Sequence, residues 1–285
     1  MLFLDTAKAF DTVSHHTLFH VAVAAGLPPP LMSYLWHLYK WSTVQLAGTT
    51  TTCGQGVRQG DPLSPLLFIM VVKDIVTASL PSAGYDLDGH RISSIAYVDD
   101  LVLFAEKSPQ LQEKLHLLSE ALTQAGMALN AKKSLGVTIA RDGKRKCVAL
   151  LPTTYECEGG SINPLGPGDL VCYLGLQFNW KGRVIPKHTG KLNSLLQELL
   201  RAPLKSQQRM LLLRTYLVPK FIHELVLGHA HRNTLRKLDC LICAAGEALA
   251  AIAQRYPLGY FHAHIKDGGL GVPCFSTSIP LLQAS

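Results

Sequence analysis

The stretch SSIAYVDDLVLF, residues 93–104, sets two adjacent aspartates, Asp99 and Asp100, inside an apolar, β-branched run. Such a run belongs in a buried strand, where an unpaired carboxylate is expensive and either shifts its pKa or acquires a partner. Either a lysine or arginine neutralises the acids, or the run bends at them and presents them to a metal ion. A strand–turn–strand with the acids at its tip fits the second option, and helix signals flank it on both sides. Downstream, Ser108-Pro109 opens the helix SPQLQEKLHLLSEALTQAG, with Gly126 past its end. Upstream, RQGDPLSPLLFIMVVKDIVTASL, residues 58–80, starts with Gly and Pro and becomes a nearly all-apolar helix suited to the core.

Further out, MLFLD reads as a short strand ending at Asp5. Ser14 and Gly26 bound the helix SHHTLFHVAVAAG, and PPLMSYLWHLYKW fits a second. STVQLAG and TTTTCGQGV read as a hairpin of β-branched residues. Strands and helices alternate to about residue 140. A loop-rich basic passage, a short hairpin around CYLGLQFNWKGRV and a helical part from Thr189 to about Ala253 follow. If the first strand neighbours the acidic hairpin, Asp5, Asp99 and Asp100 converge at one sheet edge. That is the outline of a two-metal phosphoryl-transfer site, in which Mg²⁺ suits all-oxygen ligands and Mn²⁺ can replace it.

The 285 residues are 48% hydrophobic, enough for a sizeable core. The longest apolar run, LLFIMVV at 66–72, falls far short of the ~20 residues of a membrane span, and no basic-then-apolar leader follows Met1. Seven scattered cysteines read as reduced thiols of an intracellular protein. The net charge of +7 is uneven: residues 1–130 carry 7 basic and 11 acidic side chains, residues 131–285 carry 20 and 9. A polyanion held by the basic half while acids elsewhere bind metal produces this pattern, as does a merely soluble basic surface.

FLDTAKAFDTVSHHTL, GVRQGDPLSPLLF, AYVDDLVLF, LTQAGMALNAKKS and YLGLQF, in that order, resemble the five motifs of reverse transcriptases, and among them those of non-LTR, LINE-type retrotransposons. IKDGGLGVP is similar to a stretch that follows the thumb in the same elements. The resemblance implies an α+β fold. A polymerase palm, an antiparallel sheet with packed helices, would occupy 1–178, a mainly helical thumb 179–255 and a loop-rich extension 256–285, with the fingers absent. It further implies an RNA-directed DNA polymerase of the nucleus and cytoplasm, extending a DNA primer on an RNA template with dNTPs.

Residue by residue, the resemblance makes Asp5, Asp99 and Asp100 metal ligands and Lys133 the acid that protonates departing pyrophosphate. Phe10 corresponds to the bulky aromatic under the incoming sugar, against the alternative of ordinary core. Gln59 and Gly60 approach nucleotide or template, and Arg58 either touches phosphate or is solvated. Asp11 suits a cap or local pairing, and Asp61 before Pro62 a turn or helix entry. Tyr173, Leu174 and Gly175 correspond to the hairpin that grips the primer end. Among the C-terminal cations, Lys205, Arg209 and Arg214 suit phosphate contacts along a duplex, and RDGKRK at 141–146 is a second contact or an exposed loop. A zinc site from His229, His231, Cys240 and Cys243 fits no finger spacing. Two other functions share parts of this pattern: a non-catalytic nucleic-acid-binding remnant of such a polymerase, and a two-metal nuclease, which would not need Phe10, RQGDPLSP or YLG.

Overall fold

The computed structural model describes residues 1–46, 48–81, 84–143, 147–185, 187–228, 230–249 and 258–284. The chain divides into two units, Met1–Leu174 with Phe178–Gly182, and Gly175–Gln177 with Arg183–Ser285. The first begins with β1 (Leu2–Leu4), β2 (Thr6–Ala7), the single turn α1 (Ala9–Thr12), α2 (His15–Ala24), α3 (Pro29–Lys40), a hairpin of β3 (Thr43–Leu46) and β4 (Thr49–Thr52), and α4 (Ser64–Ser79). Next come the hairpins β5 (Tyr85–Leu87) with β6 (His90–Ile92) and β7 (Ser94–Tyr97) with β8 (Asp100–Leu103), then α5 (Ser108–Gln124), β9 (Ala128–Leu129) and β10 (Leu135–Gly136). Two further hairpins, β11 (Thr138–Asp142) with β12 (Cys147–Leu151) and β13 (Tyr155–Cys157) with β14 (Gly160–Pro164), precede the meander β15 (Val171–Tyr173), β16 (Leu176–Asn179) and β17 (Gly182–Arg183).

Local chemistry sets the helix ends. Asp61 Oδ1 accepts the Leu63 N–H at 2.9 Å and the Asp61 carbonyl accepts the Ser64 N–H at 3.1 Å, so DPLS is an Asx turn feeding α4. Gly126, at φ +82°, follows α5 where a Cβ would stand 2.9 Å from the Thr12 carbonyl oxygen, so only glycine lets the chain pass there. Leu67, Phe68, Val71, Val72 and Ile75 of α4 and Leu111, Leu115, Leu118 and Leu122 of α5 are buried in the core that also holds Leu2, Leu4, Leu101 and Leu103 of the sheet. Helices therefore cover one face of the strands, and Leu2, Leu4, Leu101 and Leu103 face them.

The main sheet runs β13-β14-β10-β1-β8-β7. β1 is antiparallel to β8, with Leu2 opposite Leu103 and Leu4 opposite Leu101. The sequence leads one to expect a purely antiparallel sheet, but β10 and β14 are parallel. β11, β12 and β13 lie in the connection between them and return the chain to the starting end, which a tight hairpin cannot do. The same strands replace the loop-rich passage expected after residue 140. Thr138, Ile139, Val148 and Leu150 supply β-branched and apolar residues for the β11–β12 ladder, while the basic residues between those strands dominate the sequence pattern. Residues 144–146 of RDGKRK lie outside the described residues.

The second unit contains α6 (His188–Arg201), α7 (Ser206–Leu212), a π-helical turn Leu213–Leu217, α8 (Pro219–Leu227), α9 (Arg232–Leu249), α10 (Leu258–His262), a 3₁₀ turn Ile265–Asp267 and α11 (Phe275–Ala284). Leu192, Leu196 and Leu199 of α6 meet Leu235, Leu238, Ile242 and Leu249 of α9 in its core. Where a loop-rich extension is expected over 256–285, α10 and α11 form instead. Phe275 and Ile279, one turn apart, are both fully buried, so a short amphipathic helix hides them better than a loop. The expected end of the helical part at about Ala253, and the thumb boundary at 255, lie outside the described residues. Among the described residues no helix is long and apolar enough to cross a membrane.

Asp239 fixes α11 to α9. Only 3% exposed, it accepts the backbone N–H of Phe275 at 2.8 Å and of Ser276 at 2.9 Å. Charge-assisted bonds to helix-start amides stabilise a buried carboxylate, and truncation leaves both donors without a partner. Asp239→Ala is expected to destabilise the second unit by about 3 kcal/mol, read by denaturant unfolding as a lower midpoint; an unchanged midpoint would show that α11 contributes nothing to stability.

Candidate active site

Asp5 leaves β1 beside the segment 130–134. Its N–H donates to Ser134 Oγ at 3.1 Å, that hydroxyl donates to the Asn130 carbonyl at 2.8 Å, and the Asn130 N–H returns to the Asp5 carbonyl at 2.8 Å. This closed ring holds the backbone that carries the carboxylate. Lys133, on the same segment, puts its Nζ 3.8 Å from Asp5 Oδ2. Both side chains are partly in water, so the pair contributes about 1 kcal/mol at most.

The β7–β8 hairpin brings the other two acids. Tyr97 pairs with Asp100 across it, leaving Val98 and Asp99 as a two-residue turn. Val98 has φ +56°, a left-handed conformation that costs a β-branched residue about 1–3 kcal/mol and is met chiefly at functional sites. One step beyond the Leu4–Leu101 pair of β1 and β8 lie Asp5 and Asp100. The electrostatics agree with that convergence. Burial first, then the charges of Asp99 and Asp5, hold the Asp100 carboxyl above its ordinary value of 3.8. Tyr173 senses the same charge: burial and Asp100 together raise its phenol above 10.0, and its ring lies 5.9 Å from that of Phe3. Its buried hydroxyl has no hydrogen-bond partner among the described residues. After Tyr173, Leu174 and Gly175 both take positive φ, 49° and 76°, the backbone of a tight two-residue turn.

A cavity of about 610 Å³ opens beside the acids, lined among others by Asp5, Lys8, Phe10, Gln59, Asp99 and Lys133. Asp99 lines it; Asp100 does not. Phe10 stacks on Phe68 of α4 with ring centroids 4.5 Å apart, and its half-exposed ring also borders a second cavity of about 410 Å³ with Arg58, Gln59, Gly60 and Asp61. One ring face of Phe10 is thus packed against the core while the side chain borders open space. Gln59 Nε2 donates to Asp11 Oδ1 at 3.1 Å, so the partner of Asp11 comes from 48 residues away rather than from its own neighbourhood. Arg58 is exposed, and its carbonyl accepts the Ser64 hydroxyl at 2.6 Å. Gly60, at φ +88°, has open space where a Cβ would stand.

The acid donors are all carboxylate oxygens, and Asp100 carries an unbalanced negative field. Those properties suit a hard divalent cation. Among the described residues no three His, Cys, Asp or Glu side chains form a group that could hold a metal ion, so the acids share an edge without making a closed cage. The cysteines do not supply an alternative: Cys240 is exposed, and Cys243 is held as a thiol up to about 11, chiefly by burial. His229 lies outside the described residues.

In the second unit, Lys205 is exposed at the start of α7, whereas Arg209 Nη2 donates to the Ala202 carbonyl at 2.8 Å and Arg214 Nη1 to the Leu270 carbonyl at 3.5 Å. The two guanidiniums thus spend donors on their own chain. Sequence reasoning passes over Lys8, Asn130, Ser134 and Lys114. Lys8 has φ +48° on the cavity wall. Lys114 carries a signal that was there to be read, a lone cation among Leu111, Leu115, Leu118 and Leu122 at helical spacing.

Because Asp100 binds its proton more tightly in the fold than in the unfolded chain, it adds stability when protonated, and that contribution fades as pH rises through the ordinary carboxylate range into the raised one. Asp100→Asn is therefore expected to unfold at a higher temperature than the parent chain at pH 7. The gap should shrink as pH falls through and below the ordinary carboxylate value of 3.8, where the parent's carboxyl becomes protonated in both states. A lower midpoint for the variant at pH 7 would show that the acid is compensated rather than strained.

The family model described as reverse transcriptase (RNA-dependent DNA polymerase) matches residues 1–178. The "Retrovirus-related Pol polyprotein from type-1 retrotransposable element R2" of Nasonia vitripennis is 36% identical over 289 residues, covering 99% of this chain and 28% of that protein. The corresponding polyprotein of element R2DM in Drosophila melanogaster is 36% identical over 286 residues, covering 98% and 27%. The chain thus spans about a quarter of the length of these curated relatives. A telomerase structure from Candida albicans with a fragment of telomeric RNA overlaps 88% of this chain and 45% of that chain at TM-score 0.39 and 12% identity. The motifs that converge on the acid edge all lie within the matched 178 residues, and the chain belongs to the reverse transcriptase (RNA-dependent DNA polymerase) family.

Proposed function

We propose that this chain is the palm and thumb of an RNA-directed DNA polymerase from a retrotransposon, with the palm over 1–178, the thumb over 179–255 and a C-terminal extension from 256. It extends a DNA primer on an RNA template by nucleotidyl transfer, inside the cell. The observation that carries this reading is the meeting of Asp5, Asp99 and Asp100 at one sheet edge beside a cavity, inside the family's motifs.

Asp5, Asp99 and Asp100 would hold two Mg²⁺ ions. When bound, such ions activate the primer hydroxyl and offset charge on the departing oxygen. The chain's own side chains do the rest. Phe10, backed by Phe68, excludes a 2′-hydroxyl from the floor of the cavity and so selects deoxynucleotides. Lys133, whose Nζ lies 3.8 Å from Asp5 Oδ2, donates its proton to pyrophosphate. Gln59, Gly60 and Arg58 border the nucleotide. Tyr173, Leu174 and Gly175 hold the primer end, supported by the electrostatic coupling of Tyr173 to Asp100. Lys205, with Arg209 and Arg214 contributing the donors they do not spend internally, meets duplex phosphates.

Mg²⁺-dependent primer extension on an RNA template tests the reading. Asp99→Asn is expected to lower the extension rate by at least ~100-fold, the effect of losing several kcal/mol of transition-state stabilisation, while leaving the thermal midpoint near that of the parent. Extension at the parent rate would remove Asp99 from the reaction. Phe10→Ala is expected to reduce the preference for dNTP over rNTP by at least ~10-fold, since a pocket without the ring no longer opposes the extra hydroxyl; an unchanged ratio would leave Phe10 as core alone.

A further inference from the structure

β7 is an edge strand, and among the described residues β8 is its only neighbour in the main sheet. Packing contributes little to holding it, because Ile95 and Tyr97 are exposed. Yet the turn at its far end carries Asp99. Whatever fixes the base of this hairpin therefore fixes the acid at its tip. The base is closed by the Phe104 N–H, which donates to the Ser93 carbonyl at 2.9 Å, and by one side chain from α5. Lys114 is only 1% exposed, and its ammonium donates to Ser93 Oγ at 2.7 Å, the Phe104 carbonyl at 2.9 Å and the Ser93 carbonyl at 3.4 Å. The Ser93 hydroxyl donates in turn to the Pro81 carbonyl at 3.1 Å, just beyond α4.

An ammonium has three N–H donors and no acceptor, and here three oxygens receive them. Among the described residues no acid pairs with it: neither Glu113 nor Glu120 of its own helix, nor Asp74 of α4, Asp100 of β8 or Glu156 of β13 lies within ion-pair distance. Burial alone lowers its affinity for the proton. A buried cation without a counter-ion is costly to keep. A leucine would continue the stripe of Leu111, Leu115, Leu118 and Leu122 without that cost. The cation is retained where its three donors join the residue before β7 to the residue after β8.

We propose that Lys114 is a positioning residue that clamps the base of the acid-bearing hairpin and so sets where Asp99 and Asp100 stand relative to Asp5. Its consequence for catalysis rests on the polymerase reading; the clamp itself does not.

Amide hydrogen exchange on the full chain tests the clamp without any activity. Lys114→Met keeps the length and the apolar stem but removes all three donors. It is expected to speed exchange across residues 94–103 by at least ~10-fold while leaving α2 and α4 protected, the signature of local rather than global opening. In primer extension the same variant is expected to lose about 10- to 100-fold in kcat, the size of effect that a small misplacement of reacting groups produces, with KM for template–primer within about twofold. Unchanged exchange over 94–103 in the folded variant overturns the clamp. A loosened hairpin with unchanged kcat overturns the positioning role. If Lys114→Met does not fold, Ser93→Ala decides, since it removes the shortest of the three contacts from a partly exposed residue: faster exchange over 94–103 supports the clamp and parent-like exchange overturns it. Absence of extension by the parent chain counts against the polymerase reading, and the exchange measurement still decides the clamp.

Discussion

The pairing of β1 with β8 is the constraint on which the rest depends. It sets Leu4 opposite Leu101, and the next step along both strands brings Asp5 to Asp100. Because side chains alternate along a strand, a slip of one residue would turn the leucines of one of the two strands away from the helices. Core burial therefore enforces the register, and the register delivers the acids to one edge. Each leucine fully buried contributes about 1.5–3 kcal/mol, and four of them hold this register. Hydrophobic packing thus does the work of assembling a site that electrostatics alone would disperse.

The cost of assembly shows up locally. The Asp100 carboxyl is held above its ordinary value, Val98 turns through a left-handed conformation, and Tyr173 keeps a buried hydroxyl without a partner among the described residues. These features cluster at the same edge, as strain does where function requires it. They are opposed by structure away from the acids: the ring of hydrogen bonds from Asp5 through Ser134 and Asn130, and the three-donor contact of Lys114 at the hairpin base. The acids are thus held by backbone on one side and by a buried cation's contacts on the other, leaving the Asp99 and Asp5 side chains toward the cavity.

In the second unit the basic residues have more than one use. Arg209 and Arg214 bond to carbonyls of Ala202 and Leu270, so part of the positive charge of this half stabilises its own turns. Counting cations along a sequence overstates the donors available to a polyanion, because a guanidinium that serves its own backbone has fewer of its five N–H groups left to offer outward.

The acid-tipped hairpin, the apolar α4, the helix α5 and the turn at Asp61 were legible in the sequence, because each depends on periodicity or on chemistry within a few residues, whereas the partner of Asp11, Gln59, comes from 48 residues away. The motif order also carried the family, since motifs are read along the chain. What only the tertiary structure decided involves partners far apart in sequence. The parallel pairing of β10 with β14 depends on how three intervening strands return the chain. The helices of the last 28 residues depend on a core that receives Phe275 and Ile279 and on a cap from Asp239, 36 residues away. Lys114 stood in the sequence as one cation in a stripe of leucines, and its meaning appeared only when folding brought Ser93 and Phe104 to it. Local free energies are written in adjacent residues, whereas the partners of a buried charge are chosen by topology.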